Sequence, residues 1–385
     1  MHRGNLLLAV LVCSIVAGQC AESAILEPVR IDVSEGPAEY INEYNLFTDI
    51  RRQIPNAGVV PYEINTPHFA DYATLHRFLW LPEDTAIDYL PDGTLEFPLG
   101  AAVILSVGYP YDINRPDDGE RLVETRLFVK GTEDWSAFQY QWNEDMTEAR
   151  LALAGGKVPV SWTHYDGSPR SMDVLIPNIN QCKMCHEIDG YFVPLGPTKA
   201  RHLNREIPYA AGRENQLAHW IRKGYLRNAP EDLDAIPRTP VWNDPSTGTV
   251  AERARAYLDM NCASCHQPGG LAYTSGLDLT YAQDNPVRFG VFKAPVAAGR
   301  GVGKGRFGIE PGDSEASILF HRMKATDPGI RMPVVGRSLP HVEGLALIKE
   351  WIEAMDYPEL RKNEEASEKY RIQRKASLSG GAGGG

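Results

Sequence analysis

Two copies of Cys-x-x-Cys-His, CKMCH at 182–186 and CASCH at 262–266, constrain this chain more than any other feature. Of the six cysteines, four sit in these units, and Cys13 and Cys20 lie in the N-terminal leader. No cysteines remain for a structural disulfide network, so the close pairs need a ligand. Zinc, thiol exchange and covalent haem all use such a pair. Zinc ribbons separate their two knuckles by about 15–20 residues, whereas here the interval is far longer and crosses a Pro-rich stretch. Thiol exchange gives no reason for a histidine after both pairs. Covalent haem asks for this order: two thiols take the vinyl groups and the adjacent histidine ligates iron. The expectation is two covalently attached c-type haems, one on Cys182 and Cys185 with His186 on iron, the other on Cys262 and Cys265 with His266 on iron.

The leader "MHRGNLLLAVLVCSIVAGQCAES" has a basic end, an apolar run and small residues near a cleavage point, which reads as a secretory signal over 1–21. Export to the periplasm suits haem attachment. Cys20 is a candidate lipid anchor, although Ala17 and Gln19 depart from the usual lipoprotein pattern. Nothing later reaches the roughly 20 apolar residues of a membrane span. A net charge of −11 argues against nucleic acid and an anionic membrane surface and favours cationic partners.

The expected organisation is an N-terminal mixed segment over 22–84, a β-rich domain over 85–227, a Pro-rich linker over 228–248, a helical domain over 249–358 and a disordered tail over 359–385. Short β-branched and aromatic runs between Gly, Pro, Asp and Asn predict an antiparallel sheet from about 85 to 180. Alternation in "ETRLFVK" and "SAFQYQW" puts one row of side chains on a solvent face. "AEYINEYNLF" predicts a short helix and "GRENQLAHWIRKGYL" another, stopping at Gly224. A capped helix is expected after Asp313, and a last one carries Leu345, Ile348, Trp351, Ile352 and Met355.

From the helix before CASCH to "GIRMPVVG" and the last helix, residues 249–356 resemble a class I cytochrome c domain. The resemblance implies an α+β chain, an antiparallel β-rich haem domain followed by an all-α class I cytochrome c domain. It also implies His266 and Met332, which Pro333 follows, as the axial pair of the second haem; Met323, Met355, His321 and His341 are rivals. No Met-Pro loop follows His186, so its sixth position is open or taken by a residue such as His202 or His219. The strands before CKMCH resemble cytochrome P460 and the β-type cytochromes c-prime, where a sheet covers a haem with an open distal side. P460 enzymes carry a lysine cross-link to the haem; Lys130 is the one lysine inside an expected strand, and a solvent-facing position suits it better. Along its whole length the chain resembles a family of bacterial diheme c-type cytochromes, on "GVVPYEINTPHFADYATLHRF", "NQLAHW", "ERARAYLDMNCASCH" and "EPGDSEASILFHRM".

"GRGVGKGRFG" lacks the ending and setting of a phosphate loop, "NEDMTE" reads as a solvated turn, and no GxSxG nucleophile appears. The expected function is a periplasmic diheme cytochrome carrying electrons between redox partners, such as a basic cytochrome or a membrane oxidoreductase. The alternative is a haem enzyme acting on hydroxylamine, peroxide or a nitrogen oxide at the first haem, with the second as electron outlet. A haem-based sensor is a third class, weakened by the absence of a signalling domain.

Overall fold

The computed structural model describes residues 27–297 and 299–380. The expected signal sequence over 1–21, with Cys20, lies outside them.

An antiparallel meander forms the centre of the molecule. Its strands are β1 (Val59–Pro61), β2 (Thr74–Trp80), β3 (Ala102–Pro110), β4 (Glu120–Lys130), β5 (Trp135–Trp142) and β6 (Ala149–Leu151), neighbours in the sheet in that order. Register is set by apolar rows on both faces, because a slip of one residue would exchange the two rows. Leu79, Val103, Phe128 and Ala137 lie opposite one another across β2–β5 and pack into one core with Cys182. Phe78, Ile104, Leu127 and Tyr140 face the other way into a second core.

The solvent face expected from alternation in β4 and β5 is therefore absent. Residues 38–47 cover one side: Tyr44 and Tyr140 share a hydrogen bond of 3.0 Å, and Ile41 and Leu46 are buried. A strand covered on both faces needs apolar residues at successive positions, as "AVIL" in β3 has. "AEYINEYNLF" forms only a 3₁₀ turn, Ile41–Tyr44, before the chain turns extended.

A hairpin of β7 (Gly156–Thr163) and β8 (Pro169–Ile176) flanks the sheet and leads into α1 (Ile179–His186). Asn178 caps α1: its side chain accepts from Gln181 N while the Gln181 side chain accepts from Asn178 N. Helix α2 (Gln216–Arg222) is shorter than expected because residues 212–215 pair as a strand, and it ends at Gly224 with φ of 77°. The Pro-rich stretch 228–248 is packed against the rest: Ile236 and Thr239 are buried, and the Pro240 carbonyl accepts from Thr66 Oγ1 at 2.7 Å.

The C-terminal part corrects the expected fold class. The described residues form six sheets, so the chain is mainly β, and no all-α class I cytochrome c domain is evident over 249–358. That segment holds α3 (Val250–Leu258), a π-turn (Asp259–Ala263), α4 (Ile318–Lys324) and α5 (Val342–Glu353). Between α3 and α4 the chain is rich in Gly and Pro, which cost helix stability. It runs as turns tied by isolated bridges, Val291 to Ile309 and Phe307 to Ser317. Helix α4 begins at Ile318, later than expected, because Asp313 caps a turn through Ala316 N instead. Residues Pro358–Gly380, expected as a disordered tail, form α6, which Arg306 joins through Glu364 and Glu368. Among the described residues no helix is long and apolar enough to cross a membrane.

Candidate functional site

Helix α1 carries the first Cys-x-x-Cys-His across the inner face of the sheet. Cys182 is buried and accepts from Gln139 Nε2 at 3.0 Å, and His186 ends the helix with its ring against Phe128, centroids 4.9 Å apart. Its Nδ1 lies 2.8 Å from the Val193 carbonyl oxygen. A carbonyl can only accept, so Nδ1 carries the proton and Nε2 keeps its lone pair. Burial, with Arg126 adding to it, pushes the His186 pKa down to about 4, so the imidazole is neutral at neutral pH. An imidazole with one nitrogen held and the other free suits an iron ligand.

Under α1 the sheet places a polar row on its inner face. Arg77, Leu105, Arg126 and Gln139 lie opposite one another across β2–β5. Arg126 is paired bidentately with Glu124, which is 1% exposed, at 2.9 and 2.8 Å. Arg77 is 9% exposed; Nη1 donates to the Leu75 carbonyl, and Nη2 is buried without a partner. A buried guanidinium lacking a hydrogen-bonded anion costs several kcal/mol, so this site asks for an acceptor. Haem carries two carboxylates. The residues present fit it: two thiols, a neutral imidazole and a buried cation with a free donor. Lys130, at the end of β4 and half-buried, lies on the face of Arg126 and Phe128 by strand alternation.

The second unit follows α3 through the π-turn. His266 Nδ1 lies 3.1 Å from Ser275 Oγ, and burial, with Arg322 adding to it, holds the pKa at about 4. Met332, Met323 and His341 line a small cavity of about 20 Å³ together with Cys262 and Phe69. The fold therefore brings Met332 to Cys262 of the second Cys-x-x-Cys-His unit, with two of its rivals beside it. Of the others, Met355 packs at the edge of the C-terminal core, and the His321 ring lies where a side chain on Gly303 would stand. Arg337, which sequence reasoning missed, binds the Met332 loop: it donates to the carbonyls of Met332, Met323, Arg322 and Leu339.

The two units meet. Cys265 Sγ donates to the Met184 carbonyl at 2.9 Å and lies 3.9 Å from Cys185 Sγ, and Asp189 N donates to the Gly269 carbonyl at 3.0 Å. All four cysteines are free. Among the described residues no group of three or more His, Cys, Asp or Glu is placed to hold a metal ion.

His202 and His219, expected as candidates for the first sixth position, are engaged elsewhere. His202 sits between Thr239 Oγ1 at 3.2 Å and Asp259 Oδ2 at 3.5 Å. His219 contacts Glu214 at 2.5 Å and stacks on Tyr209. Comparison with protein-family models, with curated proteins and with solved structures finds no match.

Proposed function

We propose that this chain is a periplasmic electron carrier with two covalently attached c-type haems, on Cys182, Cys185 and His186 and on Cys262, Cys265 and His266, with Met332 as the second axial residue of the latter. The observation that carries the reading is the 3.9 Å separation of Cys185 and Cys265. Whatever these two sulfurs hold is brought side by side, which suits exchange of electrons between the two sites. A bound haem supplies one-electron chemistry at its iron.

The chain's own residues then do the rest. Val193 O and Ser275 Oγ fix the two imidazoles through Nδ1 and leave Nε2 free. Arg77 offers a buried donor to a carboxylate. Phe128 and Phe192 stack on each other at 5.5 Å and screen His186 from water. A thioether at Met332 favours the reduced metal and raises the potential. The acidic surface favours a basic redox partner.

The test is export of the full chain with haem maturation, followed by reduction, denaturation and alkylation. The expected mass is the chain plus two haems with no alkyl group on Cys182, Cys185, Cys262 or Cys265, and a redox titration in two one-electron steps. Alkylation at those four cysteines would refute the attachment. Turnover of hydroxylamine or peroxide at a rate above free haem would replace the carrier reading with an enzyme.

A further inference from the structure

One segment of the N-terminal half, residues 66–72, is tied to the linker and to the C-terminal part. Thr66 Oγ1 donates to Pro240 O at 2.7 Å and accepts from Trp242 N at 3.0 Å. Phe69 N donates at 2.8 Å to Asn261 Oδ1, in the π-turn directly before Cys262. The buried Asp71 carboxylate accepts from Ser338 N at 2.9 and 2.7 Å and from Leu339 N at 2.7 Å, across 267 and 268 residues of chain. Tyr72 OH donates to Glu343 Oε2 at 3.1 Å and accepts from Val342 N at 3.3 Å, at the start of α5. Asp71 and Tyr72 have positive φ, 52° and 67°, a backbone that non-glycine residues adopt only when their surroundings hold it.

This strap reaches both Met332 and its imidazole rival. Arg337 binds the Met332 carbonyl, and Asp71 takes the two amides that follow Arg337, so the loop is gripped from within by one charge and from the N-terminal half by the other. Phe69 acts on the rival. His341 lines the same cavity as Met332 and Cys262, but its ring is boxed: Phe69 stacks on it at 4.2 Å with the planes 7° apart, and Trp242 and Tyr257 stand at 4.8 and 5.5 Å. His341 Nδ1 lies 3.0 Å from Tyr257 OH, and its Nε2 lies 3.6 Å from Glu343 Oε2. Both ring nitrogens therefore face polar partners.

We propose that Asp71 and Phe69 are positioning residues for the second site: Asp71 fixes the loop that carries Met332, and Phe69 keeps the His341 ring in its box, so that Met332 and not His341 is the second axial residue. The inference rests on the two-haem reading above. A neutral imidazole is itself a common iron ligand, so a cavity lined by one beside a thioether needs something to choose between them. The choice sets the potential, because a thioether favours the reduced metal, and residues behind the ligands orient them. The N-terminal half thereby tunes a site whose attachment motif lies in the C-terminal part.

The experiment uses the full exported chain and its F69A, D71A, D71N and F69A/H341Q variants, with intact mass, EPR, redox titration and CO binding as readouts. All should carry two haems by mass. F69A should lower the potential of one haem and give it a bis-imidazole EPR signal, and F69A/H341Q should return both to native. A merely destabilised chain would not be rescued by a second substitution at His341. D71A should lose the thioether-ligated signal and bind one more CO per chain than the native protein, while D71N, which keeps one acceptor oxygen, should stay close to native. Native potentials and signals in both F69A and D71A overturn the positioning role, and a lowered potential that persists in F69A/H341Q overturns the choice between Met332 and His341. Failure of the underlying reading shows separately: M332A with both haems at native potential removes Met332 as axial residue, and a mass without covalent haem removes the two sites before any spectrum is taken.

Discussion

Replacing Arg337 by lysine should loosen the Met332 loop without emptying the cavity beside it. Arg337 is 6% exposed and makes five hydrogen bonds to four carbonyls: Nε and Nη2 to Met332, Nη1 to Leu339, and Nη2 to Met323 and Arg322. An ammonium can replace Nη2 in the Met332, Met323 and Arg322 cluster, but it cannot reach Leu339 O at the same time. The Nε and Nη1 bonds are then lost. At about 1.5–3 kcal/mol for each hydrogen bond from a charged donor, R337K should cost roughly 3–6 kcal/mol. Two measurements check this: the denaturant midpoint at unchanged m-value, and the rate of Met332 oxidation by peroxide, read by peptide mass. Faster oxidation at Met332 than at Met323 is expected, since the Met332 carbonyl loses a donor while Met323, buried on α4, stays in the core. An R337K protein with native stability and native Met332 protection would refute the idea that this guanidinium holds the loop.

Three further outcomes follow from the same geometry. Glu124→Gln removes the partner of Arg126 inside the sheet face, and breaking a buried pair in this way should cost about 3–5 kcal/mol; urea unfolding measures it, and a loss below 1 kcal/mol would contradict the pairing. Burial, with Arg201 and Lys199 adding to it, lowers His202 from 6.5 to about 3. The unfolded chain therefore takes up that proton first as pH falls. The stability from neutral His202 is complete above pH 6.5 and is lost on acidification toward pH 3, on the order of 4 kcal/mol, and His202→Gln should flatten this limb in a pH series of unfolding curves. In a chain made without haem, mild oxidant should join Cys185 to Cys265, because the two sulfurs lie 3.9 Å apart; disulfide mapping that finds only the pairs within each motif would count against the observed approach of the two units.

How much of the site was legible depends on how far apart its residues stand in the chain. The cysteines and histidines of each unit are neighbours, so their spacing alone points to a ligand. Met332 was visible through Pro333, a local signal. Arg77, Arg126 and Gln139 were not, because no property of "TLHRFLW" or "ETRLFVK" says which residue will stand opposite which; only the register of β2–β5 sets Arg77 and Arg126 on one row. Arg337 read as one more basic residue in a Gly- and Pro-rich loop. The solvent face assigned to β4 and β5 failed because alternation reports which residues share a face, not whether another part of the chain covers it.

By itself the sequence determined the two Cys-x-x-Cys-His units, the strands before the first of them and the segments rich enough in Gly and Pro to stay non-helical, since each of these is set by neighbouring residues. The meeting of Cys185 with Cys265, the row that sets Arg77 beside Arg126 and the absence of an all-α C-terminal domain among the described residues were decided by tertiary structure. Each depends on contacts between residues far apart in the chain, whose energy comes from packing and pairing and is not encoded in any local pattern.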